Sequence, residues 1–212
     1  MESDFLSIVL VIPYNYIIFN IALLFPYRKM KYFPKVSRGN VYLSPVNSED
    51  YEILTKWMND SRIADFIPMG SKIATIEWEK AWLDSISKNW EYTFAIVKKD
   101  GDKFIWTVSL HSVNYINQSA ILWIMIWDVQ EHGKWYWSDA INAILLYAYN
   151  TLNLYNINLL VRSFNEKAIA CYSKCWFKKV WVKHHCIYYN GKWYDHILME
   201  ILKPNWKKKN GM

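Results

Sequence analysis

Gln130-Glu131-His132-Gly133-Lys134-Trp135-Tyr136-Trp137-Ser138-Asp139-Ala140 is the stretch on which the reading of this chain turns. It follows an apolar run, Ala120 to Trp127, that reads as a buried strand. It leads into an amphipathic helix, Ser138 to Leu152, with Ala140, Ile144, Leu145 and Ala148 as its core stripe. A strand thus passes through a short loop into a helix. The loop carries two tryptophans, at 135 and 137, beside a single glycine. That crowding belongs to a wider anomaly. At an ordinary usage of about 7%, a chain of this length holds roughly 15 glycines. The 212 residues here include 6 glycines and 13 tryptophans. A glycine deficit beside a tryptophan excess is hard to explain by packing alone.

The length suits one domain, and 53% apolar residues are ample for its core. We expect an apolar extension over 1–29, a domain over 30–206 and a basic tail over 207–212. Lys207, Lys208 and Lys209 read as a frayed end. Net charge is +6 and the pI about 9.0, which favours anionic partners or a solvated basic surface. The three cysteines, Cys171, Cys175 and Cys186, are an odd set without a secretory cleavage site. They point to a reducing compartment and to structural thiols. His184 and His185 stand near them, but without a Cys-x-x-Cys pair we expect no metal site.

Ile8 to Phe25 is an apolar run of 18 residues, at the lower limit for a membrane span. Arg28, Lys29 and Lys31 would keep the domain cytoplasmic if it were an anchor. Pro13, Asn15 and Asn20 weaken that reading, and Glu2 and Asp4 suit a signal peptide poorly. We read Met30 as the start and the domain as cytoplasmic, with a membrane anchor as the alternative.

The remaining pattern alternates strands and helices. Asn40 to Pro45 reads as a strand, and Ser48 as the cap of a helix with Tyr51, Leu54, Trp57 and Met58 on one face. Thr75 precedes a second helix with Ile76, Ala81, Trp82, Leu83 and Ile86. Tyr92 to Lys98 and Phe104 to His111 form a hairpin about Asp100-Gly101. After the 138–152 helix, Ile157 to Phe164 is a strand, and Asn165 caps a helix through Lys174. Phe177 to Tyr189 and Lys192 to Leu202 close on an Asn190-Gly191 turn.

With glycine at 135 and 137, the loop resembles the pyrophosphate loop of the GNAT N-acetyltransferases, Gln/Arg-x-x-Gly-x-Gly/Ala. Two further segments carry the resemblance. Asn165-Glu166-Lys167-Ala168 with Cys171-Tyr172-Ser173-Lys174-Cys175-Trp176-Phe177 is similar to the family's Asn-x-x-Ala and Tyr-x-Lys-x-Gly-Phe motif. Asn190 to Asp195, with Met199-Glu200, is similar to its final hairpin. The resemblance covers about residues 30–203 and is strongest to the branch acting on ribosomal-protein N-termini and to its polyamine-acetylating relatives. It implies an α+β fold, layered α/β/α, whose mixed, mostly antiparallel sheet splays between the fourth and fifth strands. Tryptophan stands at family glycine positions 106, 123, 127, 135, 137, 176 and 181. Seven changes to one residue suggest one codon read two ways. UGA encodes tryptophan in one variant code and glycine in another. We expect UGA, read as glycine in the cell, at these sites.

The resemblance further implies acetyl transfer from acetyl-CoA to a primary amine by direct attack, in a bacterial enzyme with a homodimer among its expected assemblies. It places the pyrophosphate on the amides of His132, Gly133, Lys134, Trp135, Tyr136, Trp137 and Ser138, at a helix N-terminus. The pantetheine arm would pair with Ile126, Trp127, Asp128 and Val129. Tyr172 is the implied acid for the departing thiolate, Asp128 a weaker candidate base, and Asn165 chiefly a helix cap with a secondary cofactor contact. His111 reads as structural. The alternatives are a catalytically dead relative, its pyrophosphate site filled by indoles, and an aromatic, basic nucleic-acid module. Because these tryptophans follow one motif, we expect no stable nucleic-acid partner. The acceptor stays open among protein N-termini, polyamines and small amines.

Overall fold

The structure, a computed structural model, describes residues 30–67, 72–89, 92–124 and 136–211. In chain order the elements are β1 (Val36–Arg38), β2 (Val41–Pro45), α1 (Tyr51–Met58), α2 (Ser61–Ala64), α3 (Ile76–Asn89), β3 (Tyr92–Lys98), β4 (Lys103–Asn114), β5 (Ser119–Ile124), α4 (Tyr136–Asn150), β6 (Asn156–Arg162), α5 (Glu166–Lys174), β7 (Lys178–Tyr189), β8 (Lys192–Leu202) and α6 (Lys203–Lys209). The strands form one sheet in the order β1-β2-β3-β4-β5-β6-β8-β7. Every neighbouring pair is antiparallel except β5 with β6. This is the layered α+β fold expected.

Strand alternation builds the layers. On β3, Phe94 and Ile96 join a cluster with Ile141, Ile144 and Leu145 of α4 and Trp206 of α6. Ala95 and Val97 join another, with Leu54 of α1 and Leu83 of α3. Successive side chains leave a strand on opposite faces, so one strand feeds both layers. The β1–β2 turn ties the sheet edge to α4. Asn40 N–H donates to Asp139 Oδ2 at 2.9 Å. Gly39, at φ 47°, passes so close that an added Cβ would lie 2.1 Å from the same oxygen.

Several sequence expectations are corrected. Asn47, not Ser48, supplies the first cap, accepting from Glu49 N–H ahead of a short 3-10 turn over Ser48–Asp50. On α3, Ile76 and Ala81 face outward while Glu79 is buried. β5 is only half buried, with Ile121 and Trp123 exposed in alternation. The triple lysine is no frayed tail. It forms the last turn of α6, where buried Trp206 docks the helix and Lys209 Nζ donates to the Lys174 carbonyl at 2.9 Å. The apolar run 8–25 lies outside the described residues. No helix among those described is long and apolar enough to cross a membrane.

Candidate active site

The parallel pair is the weak seam of the sheet. β5 and β6 are in register only at Ser119↔Asn156, Ala120↔Ile157 and Ile121↔Asn158. Leu122 to Ile124 go on pairing with β4, and Leu159 to Arg162 with β8. No further ladder pair joins β5 to β6 among the described residues. Beyond Ile121 and Asn158 the two strands no longer pair with each other, which leaves main-chain groups along those edges. Such groups need partners. An extended, amide-rich ligand supplies them, so the cleft fits the pantetheine arm of acetyl-CoA. α4 starts at Tyr136, and its N-terminal amides and dipole favour an anion.

Of the expected cofactor contacts, Ile126, Trp127, Asp128, Val129, His132, Gly133, Lys134 and Trp135 lie outside the described residues. Tyr136, Trp137 and Ser138 form the first turn of α4. The Lys98 ammonium stands 4.9 Å over the Tyr136 ring. Asn165 caps α5, accepting from Ala168 N–H at 3.2 Å. Tyr172 projects from α5 against that same first turn. Its ring meets Trp137 edge-on, centroids 6.1 Å apart, and Phe177 at 5.9 Å. Burial, with smaller contributions from Cys171 and Cys175, pushes its hydroxyl well above the usual tyrosine range. The phenol thus holds its proton at neutral pH. Trp137 Nε1 is buried and unbonded among the described residues.

The end of α5 is a left-handed turn. Trp176 N–H donates to the Ser173 carbonyl at 2.9 Å, and Phe177 N–H to the Tyr172 carbonyl at 3.0 Å. This Schellman pairing places residue 176 at φ 72°, the position where glycine is favoured.

A cavity of about 190 Å³ lies on the other side of the sheet, between α1, α3, β4 and β5. Trp78, Trp82, Trp106 and Trp123 wall it, and Glu79, Thr107, Ser109 and His111 are its polar lining. Trp106 is wedged flat on Trp57, centroids 4.6 Å apart. Ser109 Oγ accepts from Thr93 Oγ1 at 3.0 Å. His111 meets Trp123 at 5.5 Å. Trp123 also belongs to the stretch of β5 that has parted from β6, so cavity and cleft share one strand. Arg162 on β6 holds the cavity rim, donating to the carbonyls of Asp65 at 2.8 Å and Ile67 at 3.0 Å. Tyr189 on β7 adds a 2.6 Å bond to Asp65 Oδ2.

The acetyltransferase (GNAT) domain family matches residues 43–198. The chain belongs to this family. It is 26% identical over 175 residues to the probable N-acetyltransferase YjcK of Bacillus subtilis, covering 78% of this chain and 95% of that one. It is 28% identical over 167 residues to the spermidine N(1)-acetyltransferase of Escherichia coli K12, covering 79% and 88%. Its fold superposes with TM-score 0.69, at 25% identity, on the spermidine N-acetyltransferase of Vibrio cholerae in complex with CoA and spermine, covering 79% and 98%. The protein is an acetyl-CoA-dependent N-acetyltransferase that moves an acetyl group to an amine.

Within this GNAT frame, one buried group went unnoticed in the sequence. Glu79 is 4% exposed, and while its N–H donates to the Thr75 carbonyl at 3.1 Å, its carboxyl makes no hydrogen bond or ion pair among the described residues. Burial raises its carboxyl to about 7. The signal was available: Glu79, Trp82, Leu83 and Ile86 share helical spacing, which sets a carboxylate in a core stripe. Among the described residues no group of three or more His, Cys, Asp or Glu is placed to hold a metal ion. His184 Nδ1 instead lies 3.2 Å from Asp195 Oδ2.

Proposed function

We propose that the divergent β5–β6 cleft takes acetyl-CoA and that Tyr172 protonates the thiolate when the amine attacks. The neutral amine nitrogen forms the new bond to the acetyl carbon, the carbon–sulfur bond breaks, sulfur takes the phenolic proton, and the proton shed by the nitrogen passes through solvent to restore the phenol. The divergence of the strands opposite a buried, protonated Tyr172 is the observation that supports this reading. Asn165 fixes the helix that carries Tyr172. The described residues offer no base beside the cleft, and Asp128 remains the candidate on the loop. The spermidine acetyltransferases among its relatives make polyamines the first acceptors to test, ahead of protein N-termini. A cytoplasmic bacterial enzyme without a stable nucleic-acid partner, with a homodimer as its assembly, completes the proposal. Thiol release from acetyl-CoA across a panel of amines tests it. Tyr172→Phe should lower kcat by about a hundredfold while leaving KM for acetyl-CoA near its starting value. An unchanged kcat would remove Tyr172 from the reaction.

The seven tryptophans at family glycine positions support a second element of the proposal: the cell makes this chain with glycine there. Residue 176 carries that reading, because its φ of 72° is a glycine conformation occupied by an indole. Trp106 and Trp181 each follow a register irregularity in their strands, another frequent setting for glycine. The codons decide the matter. UGG at 135, 137 and 176 ends the idea.

A further inference from the structure

A carboxylate sealed among indoles without a counter-charge is a costly arrangement. Glu79, 4% exposed and in the lining of the tryptophan-walled cavity, has no counter-charge among the described residues. Its neighbours on α3 do not relieve it: the Lys80 ammonium is turned to the Tyr51 ring, 4.3 Å from its centroid. Arg162 spends its donors on the carbonyls of Asp65 and Ile67. Within the cavity lining, His111 is the only other titratable group. The rest is indole, aliphatic carbon and two hydroxyl-bearing side chains, Thr107 and Ser109. Indole faces attract cations, and a buried carboxylate binds them more strongly still. An aliphatic ammonium satisfies every part of this lining. Its charge meets Glu79, and its methylenes lie on Trp78 and Trp82. Neither of these two indoles stands at one of the seven positions in question, whereas Trp106 and Trp123, which wall the rest of the cavity, do.

We propose that Glu79 is the counter-ion for an aliphatic ammonium and that the tryptophan-walled cavity seats the amine acceptor, with Glu79 determining its specificity. This rests on the reading of the chain as an amine acetyltransferase, and it adds the site and the charge of the acceptor. Trp123 gives the geometric link, since it lines the cavity from the very stretch of β5 that borders the cleft. The raised carboxyl, about 7 when the cavity holds no cation, is consistent with the assignment. A bound ammonium favours its charged form and draws it back down. Anionic and zwitterionic amines would set a second carboxylate against Glu79, so the site selects against them.

The test uses the full chain, with butylammonium and its uncharged analogue butanol as probes, followed through the indole N–H resonances of Trp78 and Trp82. Butylammonium should shift both saturably and bind more tightly than butanol. In Glu79→Gln its Kd should rise by about tenfold or more, because a buried charge-assisted hydrogen bond is lost. Butanol affinity should not change. Equal affinity of the two probes for the unaltered protein overturns the proposal, and so does unchanged butylammonium affinity in a folded Glu79→Gln. If that variant fails to fold, the contrast between the two probes on the unaltered protein still decides. A thiol-release assay separates the two levels. No release with any amine defeats the acetyltransferase reading but leaves the ammonium site standing. Release with the same KM for amine in Glu79→Gln and in the unaltered protein defeats the ammonium site alone.

Discussion

Trp176 holds φ 72° because two hydrogen bonds require it, those of Trp176 and Phe177 N–H to the carbonyls of Ser173 and Tyr172. A side chain there crowds the backbone by about 1 kcal/mol or more, and glycine escapes the crowding. Trp176 is 42% exposed, and Gly and Ala variants lose the same indole contacts, so their difference isolates the Cβ. Trp176→Gly should therefore be more stable than Trp176→Ala by about 1 kcal/mol in chemical unfolding. Equal midpoints would show that the turn stores no strain. Glu79 makes the opposite kind of residue-scale prediction. Its carboxyl is raised from 4.5 to about 7 in the folded chain. The folded state therefore binds the extra proton between those values. This contribution to stability is complete below about 4.5 and is lost as pH rises through about 7. Glu79→Gln should flatten that decline and stabilise the protein near pH 8 by up to about 3 kcal/mol. A residue retained for structure would instead destabilise on removal. Thermal unfolding of both proteins across this pH range distinguishes the two cases.

The elements legible in the sequence were those whose signals are local. The β7–β8 hairpin follows from Asn190-Gly191, whose φ values of 47° and 75° give the turn both left-handed residues. Asn165 caps α5 as its position before an acidic first turn implied. β1, with three residues, and α2, with four, are too short for a periodic pattern and are fixed by pairing and packing. α6 was hidden because its stability comes from one distant contact, Trp206 against Tyr149 at 5.3 Å, while its lysines read as solvent-exposed. The Arg162 clamp was equally invisible, since it joins β6 to a loop 97 residues earlier. Its two parallel donors need a guanidinium; an ammonium cannot span both carbonyls in that geometry. Arg162→Lys should loosen the 65–67 rim, where Ile67 lines the cavity, and raise KM for the amine several-fold, by about 1 kcal/mol of binding. KM for acetyl-CoA should stay put. Steady-state kinetics with each substrate varied in turn would show it, and a matching rise in both would point to a general loss of structure.

The whole molecule sets two sites on opposite faces of one seam: a cleft where β5 and β6 part, and a cavity behind it with Glu79. Residues 125–135 lie outside the described residues, and the cleft is described from the end of β5, the first turn of α4 and Tyr172. At that border Trp137 has a buried indole N–H without a partner among the described residues, and its ring against Tyr172. An orphaned buried donor costs about 1–3 kcal/mol. A bulky side chain in the first turn of α4 also leaves less room for an anion to approach the amides there. Glycine at 137 removes both obstacles, and glycine at 135 lets the loop turn its amides inward. The Trp135→Gly, Trp137→Gly double variant should therefore bind acetyl-CoA about tenfold or more tightly than the chain with both tryptophans. A ligand at a hundred times its Kd stabilises a folded protein by about 2.7 kcal/mol, and for a chain this long that is a rise of about 5–10 °C in Tm. At one fixed acetyl-CoA concentration the double variant should show the larger shift, while Trp181→Gly, on an exposed strand distant from the cleft, should leave the shift unaltered. Equal shifts for the double variant and the chain with both tryptophans would mean that the indoles leave the anion site open. The glycine reading of the loop would then lose its physical basis.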